Sequence, residues 1–317
     1  MKLYLKKLAL AVAMFAVLMT GIVYLAANRG RPLLYEGHAF TNIPAGHLGP
    51  ESATYQRYAE IGDHADVDIL FVGSSRVYRT YDTRVYTAAG LRTFNMGSMA
   101  QTPVNSYYLM KENMERLSPR LVVMDVFPGH FRTSGIESLL NLLTNRRVSR
   151  EMVEATFAVN KTKGYLALLA NVLTRDDVFH ARPPALKRGT YIPGGYVEHD
   201  EDGRGDFRQR TFTGKENGKQ MAHLEKIVRL CREHGATLMI VSQPLPDSTL
   251  EHVSYYDEFM ARMRVLCDGW DVGFHDFNAI FPMPDQEYYY DAGHLNQRGA
   301  DLYNAFFLDY LREQQLI

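Results

Sequence analysis

The sequence predicts an α/β fold with a five-stranded, mainly parallel sheet behind an N-terminal transmembrane helix. Short apolar runs alternate with helical patterns along most of the chain, which is typical of parallel strands joined by helices. One long apolar run without charge lies near the N-terminus. With 46% hydrophobic and 22% charged residues, the chain is not wholly disordered, and its net charge of −1 indicates no general attraction to nucleic acid.

The uncharged run Leu8–Ala27 is long enough, at about 1.5 Å per residue, to cross a hydrocarbon core of about 30 Å. The lysines before it favour a cytoplasmic N-terminus, which places the rest of the chain on the periplasmic or extracellular side of the inner (cytoplasmic) membrane. A cleaved signal peptide is the alternative, but Leu25 lies where a cut after Ala27 would want a small residue. We interpret residues 1–30 as a cytoplasmic segment and an uncleaved anchor.

Residues 31–66 are interpreted as a connector, because prolines and glycines interrupt any periodicity there. Residues 67–317 then form one domain. Its five expected strands are Asp68–Val72, Arg92–Met96, Leu121–Phe127, Thr237–Ser242 and Val272–Phe277.

Helices are expected between these strands. Thr102 is a suitable N-cap, followed by a proline at the first helical position. A second helix, Lys219–His234, ends at Gly235, and a third covers Tyr255–Cys267. The last helix begins near Asn296.

A long insertion, residues 130–218, separates the third and fourth strands. Its first half predicts helices at Glu137–Thr144, Arg150–Val159 and Leu166–Leu173, and its second half is rich in Gly, Pro and charge. Insertions of this length are often lids or binding elements. The acidic run Asp200–Asp206 has oxygen ligands spaced for calcium but lacks the glutamate that closes such a loop, so we expect a solvated hairpin tip, with His199 on the surface and no metal site.

Two motifs carry the candidate chemistry. Gly73-Ser74-Ser75 follows the first strand, where ligands collect at the carboxyl ends of a parallel sheet, although such triplets are common in turns. Asp291 and His294 stand three apart before the last helix, so the carboxylate can take the imidazole Nδ1–H and leave Nε2 as a base. That pair alone could equally be a helix cap beside an incidental histidine. Together the motifs supply a nucleophile, a base and an orienting acid.

This combination resembles the SGNH (GDSL-type) hydrolase superfamily over about residues 66–314. The resemblance implies a flavodoxin-like three-layer sandwich, no cofactor, and Ser75 as nucleophile, His294 as base and Asp291 as orienting acid. Asn95-Met96-Gly97 is similar to the family's second block, which implies that the N–H groups of Gly97 and Ser75 form the oxyanion hole.

Two positions depart from the family's pattern. Ser74 replaces the usual aspartate of the first block, and the third strand ends in Asp125–His130 without the usual asparagine donor. Gln101 or Asn95 is then the candidate for substrate or oxyanion support. These departures and the anchor resemble the membrane-anchored proteins of cell-envelope O-acylation, including the D-alanyl transfer protein of teichoic acids and alginate O-acetyltransferase-like proteins. That resemblance implies a multi-pass membrane O-acyltransferase as partner.

Two functions follow as expectations. The first is a membrane-anchored, extracytoplasmic serine acyltransferase or esterase acting on O-acyl groups of a cell-envelope polysaccharide or teichoic-acid-like polymer. The second is a non-catalytic scaffold that binds the polymer or the membrane partner.

Three further features allow two interpretations each. Arg76 and Arg79 could bind an anionic substrate, although exposed helix charges are the default. The run Tyr288–Tyr290 could line an acceptor groove, although packing is commoner. Cys231 and Cys267 are expected to be separate buried thiols rather than a disulfide.

Overall fold

Five short apolar segments form one parallel sheet in the computed structural model, which describes residues 1–28, 52–180, 189–199, 216–253, 255–283 and 286–317. The order across the sheet is β2-β1-β3-β6-β7, and every neighbouring pair is parallel. These strands are β1 (Ile69–Val72), β2 (Thr93–Asn95), β3 (Leu121–Asp125), β6 (Thr237–Ser242) and β7 (Gly273–Asp276). The five predicted strands are therefore confirmed, with some ends one or two residues shorter.

The central strands are buried on both faces, which is why they are continuously apolar in sequence. In β1, Leu70 and Val72 belong to one hydrophobic cluster and Ile69 and Phe71 to another on the opposite face. Each cluster is closed by helices, so the domain has three layers, as the sequence predicted.

Fourteen α-helices lie within the described residues. In chain order they are α1 (Lys2–Ala27), α2 (Ala53–Glu60), α3 (Ser75–Thr80), α4 (Thr83–Ala88), α5 (Pro103–Leu117), α6 (Ile136–Asn145), α7 (Arg150–Val159), α8 (Thr162–Leu173), α9 (Asp176–Phe179), α10 (Gly218–Glu233), α11 (Asp247–Leu250), α12 (Tyr256–Gly269), α13 (Phe277–Ile280) and α14 (Gln297–Glu313). Short 3-10 helices cover Ile61–Asp63, Pro128–Phe131 and Gln286–Tyr288. Helices α5, α10 and α12 cover one face of the sheet, and α3, α4 and α14 the other.

The predicted helices of the domain are confirmed, and apart from α8 their ends differ from the predicted ones by at most two residues. Helix α8 begins four residues earlier than the periodicity indicated, at Thr162. Helix α2 was not predicted, because it lies in the stretch interpreted as a connector. Ser52 caps it, and its Tyr58 packs into the main core, so the domain includes this end of the expected connector.

The insertion is structured in both halves. Its helices α6–α8 pack together, with α7 against α5, and its glycine-rich half contains an unpredicted hairpin of β4 (Thr190–Ile192) and β5 (Tyr196–Glu198). The hairpin turn docks on β2, where Asn95 N–H donates to the Gly194 carbonyl at 2.7 Å. A Cβ on Gly195 would overlap the Asn95 carbonyl, so this contact requires glycine. The acidic run Asp200–Asp206 lies outside the described residues.

The predicted N-terminal span forms helix α1. Among the described residues it is the one helix long and apolar enough to cross a membrane, with mean hydropathy 2.4. Within the described residues, the domain covers only the C-terminal end of α1, where Val23 packs on α8 and Ala27 is buried.

The two cysteines are free, as expected. Cys231 and Cys267 are both buried, and burial raises the pKa of each thiol to about 12. Neither is a reactive thiolate at neutral pH.

Candidate active site

The first part of the site is the turn after β1. Gly73 has φ of +154°, and a Cβ there would lie 2.5 Å from Val77 Cγ2, so only glycine allows the chain to turn this tightly into α3. Ser74, which replaces the family's aspartate, is buried and caps α3 by accepting the Arg76 N–H at 3.3 Å. Ser75 is then the first residue of α3, with its side chain half-buried at the carboxyl edge of the sheet.

The second part is the loop before α14. The Tyr290 N–H donates to the His294 carbonyl at 2.8 Å and closes the loop. Inside it, Asp291 Oδ1 accepts the N–H groups of Gly293 at 2.8 Å and His294 at 3.0 Å. Asn296 caps α14 by accepting the Gly299 N–H. The loop therefore holds the carboxylate and the imidazole together by local bonds.

The structure brings the two motifs together, although they are far apart in sequence. Ser75 Oγ lies 2.7 Å from His294 Nε2. His294 Nδ1 lies 2.8 Å and 2.9 Å from the two oxygens of Asp291. The arrangement joins a hydroxyl, an imidazole and a carboxylate in the order that a serine nucleophile requires.

The protonation states suit this arrangement. Burial lowers the pKa of His294, and the positive charges of Arg79 and Arg76 lower it further. Asp291 raises this pKa, but its effect is smaller than the sum of the others. Burial alone would raise the pKa of Asp291, but its hydrogen bonds and the charges of His294 and Arg79 outweigh burial and lower it to about 2. At neutral pH the imidazole is therefore a neutral base beside an ionised carboxylate.

Arg76 joins the two parts, and sequence reasoning missed this. Its guanidinium is buried, pairs with Asp125 at 3.3 Å and donates to the carbonyls of Gln243 at 2.9 Å and Gly293 at 3.0 Å. The default expectation of an exposed helix charge is therefore wrong for Arg76. The side chain instead connects the ends of β3 and β6 to the residue before His294.

Of the two backbone N–H groups predicted to form the oxyanion hole, one has no acceptor among the described residues and the other is already hydrogen-bonded. The Ser75 N–H donates to no atom of the described part of the chain. The Gly97 N–H donates to Asn95 Oδ1 at 3.1 Å, so its expected role requires that this bond be exchanged for one to substrate.

The side chains of Asn95 and Gln101, the candidates for substrate or oxyanion support, both have partners inside the domain. Asn95 is fully buried and donates to the carbonyl of Val77 at 2.9 Å. Gln101 is also buried and is bonded to the hydroxyls of Ser98 and Ser106. Both amides are used inside the domain.

His130 is a second residue that sequence reasoning did not single out. It follows β3 in the 3-10 helix Pro128–Phe131, and its ring packs against Phe127. Burial and the neighbouring charges of Arg76 and His294 lower its pKa to about 3, so the imidazole is neutral. Its ring forms no hydrogen bond with the residues that the structure describes. The sequence feature that could have identified His130 as a site residue is its position just after a strand, where ligands of parallel sheets bind.

The remaining candidates lie at the rim. His199 is buried rather than on the surface, and its ring packs on Tyr290 at 5.5 Å. Arg79 is half-buried, with its guanidinium 5.7 Å from the same tyrosine ring. Tyr289 is a core residue, which leaves Tyr290 as the member of the tyrosine run beside Asp291.

Fold and site together define a doubly wound α/β protein with a serine–histidine–aspartate arrangement at the carboxyl edge of its sheet. No protein-family model matches the chain, and no curated protein does.

Among solved structures, the chain is similar to a proposed acylhydrolase from Bacteroides fragilis, with 13% identity, a TM-score of 0.45, and coverage of 84% of this chain and 98% of that one. It is also similar to a GDSL-like lipase from Bacteroides thetaiotaomicron, with 13% identity, a TM-score of 0.44, and coverage of 83% and 98%. At this identity and these TM-scores, both likenesses are distant.

Proposed function

We propose that this chain is a membrane-anchored, extracytoplasmic serine esterase or acyltransferase that acts on O-acyl groups of a cell-envelope polymer. The observation that carries the proposal is the continuous hydrogen-bonded path from Ser75 Oγ through His294 to Asp291. Such a path supports covalent catalysis because serine is a poor nucleophile until an oriented base takes its proton.

In the acylation half of the reaction, Ser75 Oγ attacks the carbonyl carbon of an ester or thioester while His294 Nε2 takes the hydroxyl proton. Asp291 stabilises the resulting imidazolium and keeps the ring oriented. The Ser75 N–H is placed to donate to the developing oxyanion. Collapse of the tetrahedral intermediate releases the alcohol or thiol, which takes the proton from His294, and leaves an acyl-serine.

In the second half, His294 removes a proton from the acceptor, which attacks the acyl-serine. Water as acceptor gives a carboxylic acid, and a polymer hydroxyl gives a new ester, with Ser75 regenerated in both cases. Tyr290 precedes Asp291 in the chain and packs on His199, and both are candidates to contact the acceptor.

The membrane location rests on α1 and on its C-terminal contacts. The Asn28 side chain donates to the Leu173 carbonyl at 2.9 Å and accepts the Arg175 N–H at 2.8 Å. These bonds and the buried Ala27 build the end of α1 into the domain, which favours a retained anchor over a cleaved signal. A multi-pass membrane O-acyltransferase is the partner that the family resemblance suggests.

Labelling with an activated fluorophosphonate tests the catalytic proposal. We expect the wild-type chain to form one covalent adduct on Ser75, measured by intact mass and peptide mapping. Ser75→Ala should abolish the adduct, whereas the neighbouring Ser74→Ala, which loses a helix cap worth about 1 kcal/mol, should retain it. A folded wild-type chain that forms no adduct would contradict the proposal.

A non-catalytic scaffold is the second candidate, and one observation favours it. Because the Gly97 N–H is occupied by Asn95, the expected oxyanion hole is not fully open in this structure. Complementation of a deletion strain separates the candidates. If Ser75→Ala and His294→Ala both restore envelope modification fully, the scaffold is correct.

A further inference from the structure

The outward face of α8 is apolar, which is unusual for a helix on the surface of a domain. Its core face carries Gly164, Ala167, Ala170 and Asn171, whose amide is hydrogen-bonded inside the domain. The side chains on the opposite face are also apolar, and no charged residue occurs between Lys163 and Arg175. A helix that is apolar all round is normally buried in protein or in lipid.

The domain itself covers only part of this face. The end of α1 packs on Leu169 and Leu173, whereas Val172 remains 59% exposed. On the adjoining helix α7, Phe157 is 63% exposed and its ring packs edge-on against Tyr165 of α8. Val172 and Phe157 are therefore large apolar side chains that the described residues leave mostly exposed.

Helix α1 fixes the depth of α8 relative to a membrane. The apolar run ends at Ala27, and Val23 lies only about 6 Å further in, since a helix rises about 1.5 Å per residue. Val23 packs on Ala170 of α8, and Asn28, the residue after Ala27, donates from its side chain to the Leu173 carbonyl at the end of α8. Whatever packs on this last turn must lie where the hydrocarbon core meets the headgroups.

We propose that α8, with Phe157 of α7, lies in the headgroup–acyl boundary of the membrane that α1 crosses. This inference rests on the anchor in the proposed function and adds a second, monotopic contact with lipid. Val172 and Phe157 enter the acyl boundary. Lys161 and Lys163, exposed at the start of α8, place their ammonium groups among the lipid phosphates.

A second lipid contact has a structural consequence for the domain. A single spanning helix leaves a domain free to rotate about the anchor, whereas an apolar helix held in the interface fixes one face of the insertion toward the bilayer. The insertion thus sets the orientation of the domain toward a membrane-bound partner or acyl donor.

The proposed position of α8 in the membrane is tested by depth measurements on the full chain in phosphatidylcholine–phosphatidylglycerol vesicles. The environment-sensitive fluorophore NBD is attached singly through Phe157→Cys, Val172→Cys, Phe15→Cys in the anchor, and the control Val265→Cys. Val265 is 70% exposed on α12, which packs on β7. Cys231 and Cys267 are buried, and an unsubstituted chain corrects for any label they take.

We expect NBD at positions 157 and 172 to be quenched severalfold more by lipids spin-labelled near the headgroup than NBD at 265, and severalfold less by aqueous iodide. If positions 157 and 172 behave like 265 while position 15 is quenched by lipid, the inference is wrong and the anchor stands. If NBD at position 15 is quenched by iodide and not by spin-labelled lipid, α1 does not cross the membrane, and both the anchor and the inference are wrong.

Discussion

The nucleophile turn and the histidine loop reach the same site by different physical means. The turn follows the central strand β1 and is buried, with Ser74 1% and Arg76 4% exposed. The loop lies on the surface, where the side chains of Asp291 and His294 are 25% and 22% exposed. The sheet positions the serine, whereas the histidine depends on hydrogen bonds within its loop and on others that reach the loop from outside.

Two of those bonds come from other elements. Arg76 donates to the Gly293 carbonyl, and Thr249 Oγ1 donates to the Ala292 carbonyl at 2.6 Å. We therefore expect changes in the buried turn to lower both stability and kcat. Changes in the surface loop should lower kcat with little effect on stability. The predictions below test that separation.

The largest effect should come from removing either end of the proton path. We expect Ser75→Ala and His294→Ala each to lower kcat by about three orders of magnitude or more on an activated aryl ester. The double variant should be no worse than either single one, because the two groups act as a unit. Additive losses in the double variant would contradict the shared path.

Asp291→Asn should give the next largest loss, about 10²- to 10⁴-fold in kcat. The asparagine oxygen can still accept the N–H groups of Gly293 and His294, so the loop should keep its fold. The side chain, however, can no longer offer two acceptors to His294 Nδ1, and the imidazole loses its orientation and its counter-charge. Thermal unfolding should be nearly unchanged.

Asp247→Asn is the matched control, since Asp247 is exposed and begins α11. It should change neither kcat nor Tm. Equal losses in both variants would mean that acidic charge at this edge, rather than the His294 contact, is what matters.

Arg76→Met should damage both regions at once. It leaves the buried Asp125 without its ion pair, which costs about 3–5 kcal/mol. For a domain of this size, Tm should fall by about 10 °C. The folded fraction should also have a lower kcat, because the Gly293 carbonyl loses its donor and the histidine loop shifts.

The double variant Arg76→Met with Asp125→Asn separates the two effects. Asparagine removes the unpaired charge and still accepts the Gln243 N–H, so much of the lost Tm should return. The lowered kcat should remain, since nothing replaces the bond to Gly293. If kcat recovers together with Tm, Arg76 is a stability residue and not a positioning one.

Local patterns in the sequence were enough to predict the sheet and the three central side chains. Ser75 follows an apolar strand, and Asp291 and His294 lie within one short loop, so each motif could be read without knowing the fold. Their meeting followed from the rule that strand ends share one edge.

The parts that sequence reasoning missed depend on long-range packing. Arg76 looked like a helix charge, because its burial requires the ends of β3 and β6 to converge on it. Asn95 carries a donor at a plausible position, but its partner is the Val77 carbonyl on α3. Gln101 differs, because its partners Ser98 and Ser106 are only three and five residues away. The hairpin β4–β5 is held by tertiary bonds to β2 that its glycine-rich sequence does not indicate.

The smallest predicted effect concerns pH and the rim residue Arg79. Because His294 must be neutral to act as a base, kcat/KM should rise with pH through a pKa below 6.5 and level off near neutrality. Arg79 is one of the charges that lower this pKa. Arg79→Gln should therefore raise the pKa of His294. The acid limb, which is the part of the pH profile where kcat/KM rises with pH, should then move to higher pH.

The expected sign follows from the protonation of the base. With a higher pKa, more of the imidazole is protonated in mildly acidic buffer, so kcat/KM falls there and is unchanged in mildly alkaline buffer. Arg79→Lys keeps the charge and should leave the limb in place, which separates electrostatics from the packing of Arg79 on Tyr290. An acid limb that moves equally in both variants would mean that this packing, and not the charge, sets the pKa of His294.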